Sequence, residues 1–181
     1  MHQLRHPLPR PRDRADLAHA SVVVLACGTA LRGDDAVARA ALRGLPADVR
    51  RRTSIQDVGA LGPEHLLALP RGARVVIVDA VVGVPPGRIV EIDLAVLDAR
   101  RAPTFVASSH RMPLDQVVVL AQVMRDEPVA GTFVGVGIES VAVGTGLSAS
   151  VRGALPALRE AVCRAVAAEA AEAIGQRDRR A

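Results

Sequence analysis

The chain has 181 residues, of which half are hydrophobic and only two, Phe105 and Phe133, are aromatic, with no Trp or Tyr. That is enough apolar material for one well-filled core, and too few aromatic rings for stacking platforms on single-stranded nucleic acid. The formal net charge is +4 with a pI of about 10.7. All of the Lys+Arg total is arginine, and much of it is in the two tails, such as Arg5, Arg10, Arg12, Arg177 and Arg180. No basic helix or stripe forms in the body, so a solvated surface is expected rather than a nucleic-acid face.

Residues 1–18 are rich in Pro and Arg without periodicity and read as a flexible arm, dispensable for folding. This opening has no apolar signal-peptide core, and no stretch is apolar for long enough to span a bilayer. Cys27 and Cys163 lack metal-type spacing, and together these features point to a soluble, reduced, cytoplasmic protein.

Ser21 to Leu42, SVVVLACGTALRGDDAVARAAL, predicts a buried strand, a glycine-bearing turn and a helix opened by the acids Asp34 and Asp35. Gly44 to Asp48 breaks that helix, Thr53 to Val58 predicts a short strand, and Gly62-Pro63 opens a helix through Leu69. RVVIV, Arg74 to Val78, is the clearest buried strand, with Asp79 at its end. After the turn Val84–Gly87 comes the alternating run Arg88 to Asp93, an edge strand that its short connection makes antiparallel to the strand before it. Ser108-Ser109-His110 forms a polar loop ahead of a helix over Met112 to Met124. Gly131 to Ile138 is a further strand. Ser148 is a candidate N-cap for a long Ala-rich helix to Ile174, which Pro156 divides into a short first turn and a longer remainder.

Strands alternating with helices predict an α/β three-layer sandwich: a mostly parallel sheet of about five strands, one antiparallel strand, and helices on both faces. The expected organisation is a single domain over residues 19–175 followed by a polar tail, 176–181.

Asp35, Asp79 and His110 are the candidate site residues, each just past a strand or ahead of a helix, where ligands bind in open α/β sheets. Taken singly, Asp34 and Asp35 read as a helix cap and a first-turn acid, Asp79 is balanced between loop bracing and chemistry, and His110 reads as a loop-bracing residue. Taken together, two carboxylates and an imidazole are a candidate donor set for a borderline divalent metal. The chain contains no His-Glu-x-x-His helix and no Gly-x-Ser-x-Gly elbow, and the Cys27-Gly28 turn lacks the three-glycine dinucleotide fingerprint.

The blocks LACGTALRGDDAVARAAL, DVGALGPEHLLAL, RVVIVDAVVGVPPGRI, SSHRMPLDQVV and VGVGIESVAVGTGLSASVRGALPAL resemble those of the hydrogenase maturation endopeptidases, in that family's order and over roughly residues 21–165. The resemblance implies a compact α/β fold and an endopeptidase that cuts a C-terminal extension from the nickel-loaded precursor of a [NiFe]-hydrogenase large subunit. It also implies that Asp35, Asp79 and His110 act as catalytic residues and contact nickel already seated in that substrate, with no resident metal in the protease and no nucleic-acid or membrane partner. The chain departs from the family's pattern at its first turn, Ala26-Cys27-Gly28-Thr29 in place of Gly-x-Gly-Asn, and at Ala36 and Ala60, where the family has glycine and threonine. Two other expectations stand beside the endopeptidase: a non-cleaving nickel-sensing module or chaperone for the same precursor, and a small nucleotide-binding domain resting on the Gly28 turn alone.

Overall fold

A computed structural model describes residues 22–97, 112–144 and 146–179. Its strands are β1 (Val22–Cys27), β2 (Ser54–Gly59), β3 (Arg74–Val81), β4 (Ile89–Asp93) and β5 (Gly131–Gly137). Its helices are α1 (Val37–Arg43), α2 (Ala47–Arg52), α3 (Pro63–Leu67), α4 (Leu114–Arg125) and α5 (Ala149–Asp178), with 3-10 turns at Gly33–Ala36 and Leu94–Val96. The sheet order is β2-β1-β3-β5-β4. Every neighbouring pair is parallel except β4 with β5, so the expected mixed α/β sheet is what the chain forms.

The continuous apolar runs of β1 and β3 follow from burial on both faces. Alternate residues along each strand divide between two cores. Val22, Val24, Val76, Val78, Val134 and Val136 pack with α1 and α5, through residues such as Val37, Leu42, Val151 and Leu158. Val23, Leu25, Cys27, Val75, Ile77 and Phe133 pack with α3 and α4, through Leu66, Val117, Val118 and Ala121. Among the described residues no helix is long and apolar enough to cross a membrane.

Four expectations are corrected. The edge strand β4 does run antiparallel, but its partner is β5 and not its predecessor β3, because β5 is inserted between them. Glycine makes that insertion possible: a Cβ at Gly137 would lie 2.1 Å from the Pro85 carbonyl oxygen, so only a bare backbone fits beneath the Val84–Gly87 turn. Strand β3 continues past Asp79 to Val81, held by the pairs Asp79–Gly135, Ala80–Val136 and Val81–Gly137. The region expected only to break α1 contains α2, which has no buried residue and so lacks the apolar stripe that periodicity detects. Finally, α5 is one helix of 30 residues with Pro156 inside it. Its N-cap is Ser148, whose hydroxyl accepts from the Val151 N–H at 3.4 Å. The arm at residues 1–18 lies outside the described residues.

Near its far end α5 is pinned to the amino edge of the sheet by a buried charge. Glu169 is 5 % exposed; it pairs with Arg74 at the start of β3 and accepts from the Thr132 hydroxyl of β5 at 2.6 Å. Removing one member of such a pair leaves the other charge uncompensated in a poorly solvated place, which costs about 3–5 kcal/mol. Glu169→Ala is expected to lower stability by about 3 kcal/mol, read as a reduced urea midpoint with an unchanged slope. A midpoint equal to that of the parent protein would show that the pair contributes nothing.

Candidate functional site

At the carboxyl end of the sheet, β1 runs into Cys27 and Gly28, and the chain turns back through the 3-10 turn at Gly33–Ala36. Gly28 has φ +91°, and a Cβ there would lie 1.9 Å from the main-chain oxygen of Asp35 and 3.2 Å from its carboxyl carbon. Residue 28 therefore has to be glycine twice over, for its backbone conformation and for the space that the turn occupies. The closeness brings Asp35, 3 % exposed, over the end of β1. Its Oδ2 accepts from the Thr29 N–H at 2.7 Å and from the Thr29 hydroxyl at 3.0 Å.

Asp79 belongs to the neighbouring strand, one residue beyond the Ala26–Val78 pair that joins β1 to β3. It is 2 % exposed and its Oδ1 accepts from the Ala80 N–H at 2.7 Å. Strand alternation gives it the same sheet face as Ile77 and Val81, and as Cys27 across the register. Burial pushes the pKa of the Cys27 thiol well above the ordinary value, and the charges of Asp79, Asp35 and Asp57, in that order, push it further. Cys27 is thus a neutral, shielded thiol and not a nucleophile. Asp57 is separately engaged with Arg39 at 2.6 Å.

The third candidate, His110, lies outside the described residues. The chain re-enters the described part at Met112, which packs against the core on the Asp79 face of the sheet. Among the described residues no three His, Cys, Asp or Glu side chains are grouped closely enough to hold a metal ion. His65, on α3, uses Nδ1 to accept from the Gly62 N–H at 3.0 Å, a helix-start contact.

The two adjacent acids divide their work. Asp34, 1 % exposed, caps no helix. Its Oδ1 accepts from the Ser148 N–H at 2.6 Å, and its Oδ2 from the N–H groups of Glu139 and Ser140 at 3.1 and 3.2 Å. Its own N–H donates to the Ser140 carbonyl at 3.0 Å. The carboxylate thereby ties the loop between β5 and α5 to the turn that carries Asp35. Burial alone would raise the Asp34 pKa, but the N–H donors of Ser148, Glu139 and Ser140, with the Ser148 hydroxyl, outweigh it and hold the carboxyl below its usual value. The same loops meet again in the Arg32–Val143 bridge and in the Gly144 N–H donating to the Leu31 carbonyl at 2.9 Å. Leu31 and Val143 are left exposed beside that bridge.

A two-faced α/β sheet with paired carboxylates buried at the carboxyl ends of adjacent central strands is an architecture of enzymes that act on a ligand at that edge. Residues 44–165 match the hydrogenase maturation protease family, HycI, and the chain belongs to that family. The matched range contains Asp79 and position 110 and begins downstream of Asp35. Comparison with curated proteins gives no match. Among solved structures, the hydrogenase maturating endopeptidase HybD from E. coli is 25% identical with a TM-score of 0.60, over 78% of this chain and 88% of that one. The [NiFe] hydrogenase maturation protease HybD from Thermococcus kodakarensis is 20% identical with a TM-score of 0.61, over 79% of this chain and 97% of that one, a likeness of fold. An endopeptidase from Escherichia coli shares the fold at 24% identity and a TM-score of 0.61, over 80% and 91% of the two chains.

Asp34→Ala would leave the N–H groups of Glu139, Ser140 and Ser148 without their acceptor; Ser148 is half-buried while the other two residues are exposed, and the cost is about 1–3 kcal/mol for each N–H that water cannot reach. A loss of about 1–3 kcal/mol is expected near neutral pH. Because the folded-state pKa is depressed, the ionic part of this stabilisation is complete above the unfolded carboxyl's value of about 4 and disappears as pH falls through the folded one. The stability gap between the parent and Asp34→Asn should therefore shrink on acidification, as followed by denaturant melts at a series of pH values. A gap that stays constant or widens toward acid would contradict the assignment.

Proposed function

We propose that this protein is the endopeptidase that removes the C-terminal extension from the nickel-loaded precursor of a [NiFe]-hydrogenase large subunit. Membership of the protease family supports the hydrolytic part. The burial of Asp35 over the end of β1 and of Asp79 on the neighbouring strand β3 is the observation that carries the rest. Two carboxylates this poorly solvated at the sheet's carboxyl edge offer anionic donors to a cation brought by a partner.

In this reading the metal arrives as part of the substrate. Asp35 and Asp79 contact the nickel from the protease side, and His110 supplies the nitrogen donor. The nickel then positions the scissile carbonyl and draws charge from it, while a water held by a carboxylate or by the metal attacks. Leu31 and Val143 give an extended chain an apolar rim to lie against. Cleavage becomes conditional on nickel loading, because the protease half of the coordination sphere has no purpose until the other half is delivered.

The test is to incubate the protein with nickel-loaded and nickel-free precursor and to weigh the products. The expected outcome is loss of a C-terminal peptide from the loaded form alone. Asp35→Ala and His110→Ala should each slow processing by about 10²-fold or more, without a change in the far-ultraviolet circular dichroism. Asp79→Ala should do the same, with some loss of stability because β3 is disturbed. Stable complex formation without any cleavage would identify a non-cleaving nickel sensor, and equal cleavage of both precursors would sink the nickel-dependent reading.

A further inference from the structure

We propose that Leu31, Val82, Val141 and Val143 form a docking edge for an extended apolar segment of the precursor, one that works whether or not nickel has been loaded. The inference deepens the function proposed above and rests on it. All four side chains are exposed, Leu31 and Val143 by as much as 73 % and 71 %. All four also lie at the carboxyl edge of the sheet: Leu31 ahead of the 33–36 turn, Val82 just past β3, and the other two between β5 and α5.

Single exposed apolar residues are ordinary on a protein surface, but these are held out by hydrogen bonds. The two segments run alongside one another, joined by the Arg32–Val143 bridge, by the Gly144 N–H donating to the Leu31 carbonyl at 2.9 Å, and by the Asp34 N–H donating to the Ser140 carbonyl at 3.0 Å. The buried Asp34 carboxylate adds its bonds to the N–H groups of 139, 140 and 148. Neither segment can turn its side chains inward without breaking that set. An apolar surface fixed in this way realises its hydrophobic free energy only when a partner covers it, and little ordering cost then falls on binding.

Two observations choose the occupant. Leu31 and Asp35 belong to the same short stretch, so a chain lying on this edge also passes the acids. From Ser140 to Ser148 the loop contains no charged residue, which matches an uncharged, apolar partner segment and not an acidic or basic one. Aliphatic side chains carry no metal-donor atoms. The edge therefore contributes equally to loaded and nickel-free precursor, and nickel decides cleavage and not docking.

Leu31→Gln and Val143→Thr keep the bulk and remove the apolar character. Each should raise KM for nickel-loaded precursor about tenfold with kcat unchanged. Each should weaken binding of nickel-free precursor, measured by interferometry, by the same factor. Leu31→Met and Val143→Ile should bind as the parent does, and no melting temperature should change, because these positions are exposed. Met124→Ser removes a comparably exposed apolar side chain from the last turn of α4, which leads into the start of β5 at the opposite edge, and should change neither quantity. If the parent protein cleaves loaded precursor and both polar variants keep its KM, the inference fails with the proposed function intact. A fall in kcat at unchanged KM, or a loss confined to loaded precursor, would make these residues part of the nickel site and would also overturn it. So would light scattering that showed a dimer dissociated by Leu31→Gln, which would assign the edge to a second copy of the chain. If the parent cleaves neither precursor, the proposed function falls and the inference falls with it.

Discussion

Everything at the carboxyl edge of this sheet depends on how closely the Asp35 main chain packs onto Gly28. The gap that a methyl group would need is already filled, 1.9 Å from the Asp35 carbonyl oxygen. The φ of +91° at Gly28 is one that a side-chain-bearing residue adopts only at a cost of about 1–2 kcal/mol. Together these constraints allow the 33–36 turn to fold down on the end of β1 and not over it at a distance. Asp35 thereby comes within electrostatic reach of the same buried thiol as Asp79 on the next strand. A turn raised to accommodate a side chain at 28 would carry Asp35 away from the end of β1.

The second constraint is the interlocking of loops. A sheet edge built from separate connections has no ladder to hold those connections in register with one another. Asp34 ties two of them, the turn at 33–36 and the loop between β5 and α5, by accepting from main-chain groups at 139, 140 and 148. Neighbouring acids in one short turn thus have different partners: Asp34 accepts from main-chain N–H groups of a distant loop, while Asp35 Oδ2 accepts from the N–H and hydroxyl of Thr29. The neutral thiol of Cys27 completes the arrangement, since burial and the surrounding acids keep it protonated and add no further anion to the group.

Much of the architecture is legible in the sequence because its strands are short, apolar and bounded by glycine and proline. Val22 to Ala26 and Arg74 to Val78 announce buried parallel strands, and Leu114, Val117, Val118 and Ala121 lie on one helical face that does pack into the core. What periodicity could not reveal has physical causes. The insertion of β5 between β3 and β4 is a long-range pairing, set by glycines that tolerate close backbone approach and not by any local pattern. The helix over Ala47–Arg52 has no fully buried residue and only Val49 half-buried against the core, too little to form a periodic stripe. At the site, the positions of Asp35 and Asp79 at strand ends could be read from the order of strand, turn and acid. The role of Asp34 could not, because its partners are more than one hundred residues away and are main-chain groups, which carry no signature in the side-chain sequence. The bonds from Thr29 to Asp35 were equally hidden, since a threonine after a glycine reads as an ordinary turn residue.

The central claim is that a metal held by a partner protein is finished by ligands from this one. X-ray absorption at the nickel edge tests it most directly, comparing nickel-loaded precursor alone with the same precursor saturated with protease whose turnover has been slowed by cold. The account predicts that complex formation adds oxygen or nitrogen neighbours to the nickel, and that the addition is smaller with Asp35→Ala. A nickel spectrum unchanged on forming the complex would contradict it.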